Sequence, residues 1–235
     1  MSLSHGPLPV TSGLVLYLDS ANIKSYSGSG STWVDLSARR ISGSLTGSPT
    51  YDAGSLTFNG STQYATITPT SSFDLYCLEF WMYNNNVVNN TDGAIGGPST
   101  YQSPINFNSV GTYGINLGGW TGGATNEAFH IWSATAGGLM TYNRVSAAVG
   151  WHHVVFNWNG TTYDIWLDGV KTTTYAHDSG GHAKLVNITS LRVGGDVASG
   201  YYFNGRLPMV KCYNTQLTDA LVLQNFNAVR GRYGL

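Results

Sequence analysis

Glu79 and Glu127 are the chain's two glutamates, and cleavage of a glycosidic bond is the chemistry that would need them. That reaction takes an acid and a second carboxylate about 5 to 9.5 Å apart. On one strand, two side chains share a face only at even spacing. Glu79 and Glu127 stand in separate segments, each without another acidic residue within four positions. Asp164 and Asp168 straddle a strand and its turn, and Asp168 before Gly169 reads as the turn residue. Nucleophilic catalysis finds no more support, with no Gly-x-Ser-x-Gly elbow and no signature around either cysteine. His152 and His153 are neighbours, so on a strand they point to opposite faces and cannot chelate one ion. One is expected inside and the other in solvent. His177 and His182 flank Ser179-Gly180-Gly181 with Asp178 as their acidic companion, a thin ligand set for a metal. These residues predict no enzyme.

The residue types that favour binding are aromatic. Tyr101, Trp120, Tyr201 and Tyr202 sit among glycines or in loop-like sequence, where a core role is harder to fill. Rings on loops stack on sugars or anchor protein interfaces at low entropic cost, so these four are the candidate binding residues. Charged residues make up 10% of the 235 residues, against about 25% in typical domains. Net charge is −1 and the basic residues form no run, which argues against a nucleic-acid partner. No apolar stretch approaches the roughly 20 residues of a membrane span, so no membrane partner is expected. A surface so poor in charge has little repulsion between copies. It suits a protein held in an assembly, a homo-oligomer included.

Strands must position these residues. Hydrophobic residues reach 42%, enough for a core, and short β runs recur between turn residues. Leu14-Val15-Leu16-Tyr17-Leu18 has the length of a buried strand. Ser27-Gly28-Ser29-Gly30-Ser31 reads as a flexible turn, and Trp33 as a plug at the edge of the core. Asn59-Gly60 is a strong hairpin dipeptide. Ala128 to Ser133 and Leu139 to Tyr142 pair around Gly137-Gly138. Trp151 to Trp158 turns at Asn159-Gly160 into Thr162 to Leu167, which turns at Asp168-Gly169 into Val170 to Tyr175, a three-strand meander. Strands at this spacing, with no helices between them, predict a single all-β antiparallel sandwich. One short C-terminal helix follows near 218 to 229, capped by Thr218, stapled by Leu217 and Val222, and stopped by Gly231. Cys77 and Cys212 both lie in strand-like runs and are expected as buried free thiols.

Residues 1 to 12 read as an arm with Pro7 and Pro9 ahead of a domain spanning 13 to 235. Proline donates no ladder hydrogen bond, so the arm is expected outside the core, ordered by a neighbouring subunit or particle surface. On that reading, deleting residues 2 to 11 leaves the melt unchanged and weakens assembly. Met1 to Pro7 has neither a charged n-region nor an apolar h-region, so no signal peptide is expected.

Three segments carry a family resemblance. Trp151 to Gly160, continuing through Tyr163-Asp164-Ile165-Trp166-Leu167-Asp168-Gly169, resembles the central hairpin of laminin-G-like and concanavalin-A-like jelly rolls. Gly200 to Leu207, with the strand to Tyr213, is similar to that family's closing strand. His5 to Asp19 and Asn225 to Gly234 resemble the two ends of laminin-G-like proteins in tailed-phage virions. The resemblance implies a jelly roll serving as a capsid decoration, head fibre or tail-associated module. It further implies capsid or tail proteins as partners, a virion location, and host-surface glycan as a second ligand class. Relatives of this fold hold calcium at the sandwich rim. Here Asp19, Asn22 and Asp196 follow strand ends and offer oxygen ligands, with no cofactor otherwise required. The expected function is therefore binding and assembly; a lectin-like adhesion module is the alternative, and a glycoside hydrolase is disfavoured by its carboxylates.

Overall fold

The apolar run Cys77–Asn84 becomes a central strand because both of its faces are covered. Leu78, Phe80 and Met82 enter the main core, while Cys77 and Trp81 join smaller clusters on the opposite face, as alternation requires. The computed structural model describes residues 7–85, 102–107, 113–117, 129–133, 138–143, 145, 147–176, 184–196 and 200–235. Among the described residues, eight strands form a back sheet in the order Val170–Lys171, Tyr163–Leu167, Gly150–Trp158, Cys77–Asn84, Asn204–Tyr213, Ser55–Asn59 and Thr50–Asp52. Its eighth strand, Leu14–Asp19, pairs with the C-terminal half of Asn204–Tyr213.

The front sheet runs Thr174–Ala176, Gly138–Asn143, Phe129–Ser133, Tyr113–Leu117, Gln102–Phe107, Leu191–Val193, Tyr64–Ile67, Ser42–Thr46 and Thr32–Val34. The short pieces Gly195–Asp196 and Tyr201–Tyr202 attach at Gln102–Phe107. Pairing among the described strands is antiparallel apart from Tyr202 beside Ser103. The two sheets enclose one apolar core to which both contribute, with Phe80, Phe156 and Val210 from the back and Ile67, Phe107 and Val193 from the front. Trp33 closes it from the edge strand Thr32–Val34, fully buried. An antiparallel sandwich with a C-terminal helix is what the chain forms. No helix among the described residues is long and apolar enough to cross a membrane.

Turn chemistry holds at Asn159-Gly160, which joins Gly150–Trp158 to Tyr163–Leu167, and at Asp168-Gly169, but fails at Asn59-Gly60. Asp168 (φ 52°) and Gly169 (φ 78°) are both left-handed, as a tight primed turn needs. They join Tyr163–Leu167 to Val170–Lys171. Asn59-Gly60 makes no hairpin: Ser55–Asn59 belongs to the back sheet and Tyr64–Ile67 to the front. The Asn59 side-chain oxygen accepts from the N–H groups of Ser61, Thr62 and Gln63. That side-chain cap folds the chain round a corner between sheets. The third meander strand also divides, Val170–Lys171 staying in the back sheet while Thr174–Ala176 crosses to the front. Nor is the Ser27 to Ser31 turn loose, because the Tyr26 hydroxyl donates to Gly30 O at 3.0 Å and Ser27 Oγ to Ser29 O at 2.9 Å.

The helix spans Asp219–Tyr233 and covers the outer face of the back sheet. Thr218 caps it, with Oγ accepting from Leu221 N–H, and Leu217 and Val222 are buried together. Its stop is Gly234 in the left-handed conformation, not Gly231. The last turn carries contacts that outweigh the cost of about 1 kcal/mol for a helical glycine. The Tyr233 ring lies 4.4 Å from Trp81 and 4.5 Å from Trp151, and Arg232 grips Asp19. Residues of the arm also join the fold. Val10 is buried, its N–H donates to Asn225 Oδ1 at 2.7 Å, and its carbonyl accepts from the Tyr213 hydroxyl at 3.1 Å. The expectation that deleting residues 2 to 11 removes no core residue is therefore incorrect.

Cys77 and Cys212 are free and buried. They sit on neighbouring strands, opposite Tyr213 and Leu78 respectively, and face different clusters. Burial, first among the causes, raises the pKa of both thiols, which keeps them protonated and inert. Thiol titration of denatured, unreduced protein should return two groups per chain; a value of zero would contradict this.

Candidate functional site

Glu79 is occupied by structural work. Glu79 is 1% exposed between the back sheet and the helix. Its Oε1 meets Lys211 Nζ at 2.8 Å and lies 3.3 Å from His153 Nε2, while Oε2 accepts from Asn225 Nδ2 at 2.6 Å. Burial alone would raise its pKa, but the charge of Lys211, aided by His153, holds it down at about 2. A glutamate held ionised by a lysine, under a helix, reaches no substrate. Glu127 lies outside the described residues.

The two adjacent histidines do diverge, but neither faces solvent. His153 is wholly buried beside Trp81 under the helix. His152 bonds through Nδ1 to Asp168 Oδ2 at 2.8 Å and through Nε2 to Ala148 O at 2.9 Å. The helix covers the face that was expected to be open. Asp168 adds a bond from His153 N–H at 2.8 Å, so it locks the hairpin it turns.

Of the three rim residues, Asp19 has its carboxylate engaged within the fold. Both carboxylate oxygens of Asp19 accept from Arg232 Nη1, at 2.9 and 3.0 Å, and Oδ1 also accepts from Ala21 N–H. Asn22 Oδ1 caps the Lys24 N–H, and Asp196 pairs in register with Tyr201 on the front sheet. Among the described residues no three His, Cys, Asp or Glu side chains gather into a metal-holding group. His177, Asp178 and His182 lie outside them.

Of the four aromatic candidates, Tyr101 and Trp120 lie outside the described residues, while Tyr201 and Tyr202 are half-buried on the front sheet. Tyr202 belongs to a larger constellation. Ala65, Ile67, Ile105, Phe107, Leu191 and Val193 enter the core, so Thr66, Asn106 and Arg192 between them point to the other face. Register sets these three in one row across three strands, with Thr66 and Asn106 on either side of Arg192. The Arg192 guanidinium lies 5.6 Å from the Tyr64 ring centre, and Tyr64 stands 6.5 Å from Tyr202. Gly195 makes room for Tyr202, since a Cβ there would come within 2.8 Å of its ring.

The row's polar atoms are unusual. Among the described residues, Nε and Nη1 of Arg192 and both amide atoms of Asn106 are buried and find no hydrogen-bond partner. Asn106 is 1% exposed. A buried group left unpaired costs about 1–3 kcal/mol, a burden that folds carry where a ligand later relieves it. A half-buried guanidinium beside two rings can recognise a hydroxylated or carboxylated ring. Tyr202 was legible as a loop aromatic; Arg192, Asn106 and Tyr64 were not. Their one sequence signal is a polar residue between two apolar ones, as in Leu191-Arg192-Val193.

The laminin-G model of the concanavalin A-like lectin/glucanases superfamily matches residues 59–222. The chain belongs to this superfamily. No curated protein sequence matches it. Among solved structures, this superfamily member resembles domain 4 of AbnA, an extracellular arabinanase of Geobacillus stearothermophilus, in complex with arabinotriose. Identity is 15%, coverage 93% of this chain and 100% of that one, and the TM-score 0.65. Trypanosoma rangeli sialidase matches at 15% identity over 94% of this chain and 33% of its own, with a TM-score of 0.62. The binding domain of botulinum neurotoxin DC, in complex with rat synaptotagmin II, matches at 10% identity over 92% and 52%, with a TM-score of 0.61. The chain thus spans a third of the sialidase and about half of the toxin domain. At these identities the likeness is one of fold.

Proposed function

We propose that the chain is a non-catalytic glycan-binding module whose front-sheet row holds the sugar. The observation that carries this reading is the half-buried Arg192 side chain beside the rings of Tyr64 and Tyr202. A sugar would stack its apolar face on a ring and offer oxygens to the guanidinium. The solved neighbour bound to arabinotriose supports this chemistry for the fold. Glu79, tied to Lys211 and Asn225, supports the absence of catalysis.

An immobilised panel of neutral and acidic oligosaccharides, arabinotriose and sialic-acid sugars among them, tests the reading. Retention of at least one sugar without release of cleaved product is expected. Hydrolysis abolished by Glu79→Gln would overturn it. We further propose, from the resemblance of the two chain ends to phage proteins, that the module acts on a virion as an oligomer attached to capsid or tail proteins. Mass spectrometry of purified particles should then find it at structural copy number. Its absence from them would reject that setting.

A further inference from the structure

The rim of the sandwich carries a concavity built from other strands than the row. The loop Tyr26 to Ser31 leads into the front-sheet edge strand Thr32–Val34, and Tyr51 lies on the back-sheet edge strand Thr50–Asp52. Between them lies a cleft of about 510 Å³, walled by Tyr26, Tyr51, Leu45, Pro49 and the serines and glycines of the two loops. Every lining residue is uncharged at neutral pH, and burial raises the Tyr26 hydroxyl pKa further, with Tyr51 adding to it.

The cleft is preformed. Tyr26 is buried, its ring sits edge-on to Tyr51 at 5.1 Å, and its hydroxyl pins Gly30 O. Gly28 has φ 92° and turns its missing side chain toward Tyr51, where a Cβ would lie 3.4 Å from the ring. The glycine leaves that space vacant. At Gly30 an added Cβ would meet nothing within 4 Å, so this wall too stays low and open. Ser29, Ser31 and Ser48 line the same space.

We infer that this rim cleft is a second ligand site, separate from the front-sheet row, that takes an uncharged sugar ring. The chemistry selects the class. An anion would find no countercharge on the walls, and burying an unpaired charge is costly. A purely apolar ligand would strip water from the serine hydroxyls and loop amides without replacing it. A neutral sugar matches both, with C–H groups against Tyr51 and hydroxyls against the serines.

The test follows backbone amide shifts of the full chain by NMR on addition of arabinotriose, cellotriose and maltotriose in turn. At least one should move the amides of Gly28, Ser29, Gly30 and Ser48. Ser29→Trp, which plugs the cleft from an exposed position, and Tyr51→Leu, which keeps bulk but loses the ring, should each weaken that response roughly tenfold. Arg192→Met should leave it unchanged, which separates this site from the row even if the row binds nothing. The inference is overturned if no neutral trisaccharide moves these amides, or if Ser29→Trp and Tyr51→Leu, folded as shown by their melts, respond like the parent.

Discussion

Lys211→Ala should destabilise the protein by about 3–5 kcal/mol, the typical cost of stranding a buried charge. For a domain of this size that lowers Tm by roughly 6–20 °C. Glu79 and Lys211 are both fully buried, 2.8 Å apart, and 132 residues distant in sequence. Without the ammonium, Glu79 keeps only the Asn225 amide and the nearby His153. The cost belongs to the stranded carboxylate rather than to a strong pair, so Glu79→Leu combined with Lys211→Met should recover most of the loss. A double-mutant cycle by chemical denaturation measures both effects. The pH dependence follows from the depressed Glu79 pKa. The folded value of about 2 lies below the ordinary 4.5, so Glu79 contributes its full stability above about pH 4.5. That contribution falls away as pH drops from 4.5 towards 2. In the double variant, acid unfolding should lose this component.

Deleting residues 2 to 11 should lower stability by about 3 kcal/mol. Burying a valine side chain contributes roughly 1.5–3 kcal/mol, and Val10 is 6% exposed in the cluster with Cys77, Trp166 and Leu217. Its backbone also serves two buried groups, Asn225 Oδ1 and the Tyr213 hydroxyl. Stranding either costs about 1–3 kcal/mol, part of which water entering the opened seam restores. Asn225 holds Glu79 as well, so the deletion loosens the buried ion pair from a third side. Denaturant melts of the truncated and full chains decide the matter. An unchanged midpoint would mean that the arm contributes nothing.

Local signals in the sequence were sound where local chemistry decides the outcome. Thr218 and Asp219 start the helix, and Asp168-Gly169 makes its turn, because each needs only neighbouring residues. Signals failed where a distant partner decides. Asn59-Gly60 has hairpin residues, yet Ser55–Asn59 finds its partners in Asn204–Tyr213 and Thr50–Asp52. Gly231 would end an isolated helix, but Trp81 and Trp151 hold the following turn by packing their rings against Tyr233. The prolines marked the arm of residues 1 to 12 as lying outside the ladders, but no pattern in it disclosed that Val10 meets Asn225. The candidate site was legible only at Tyr202. Arg192, Asn106 and Tyr64 come from three separate segments and become a site only through sheet register.

Affinity titration of the parent, Arg192→Met and Tyr202→Ala against an oligosaccharide retained on the panel tests the glycan-binding row most directly. Methionine keeps the apolar stem of Arg192 and removes the guanidinium with its two unpartnered buried nitrogens, so its melt should match or exceed the parent's while its affinity falls roughly tenfold or more. Tyr202→Ala should lose affinity to a similar degree. A role in stability alone would move the melt and spare the affinity. If both variants bind as tightly as the parent, the front-sheet row is not the binding site.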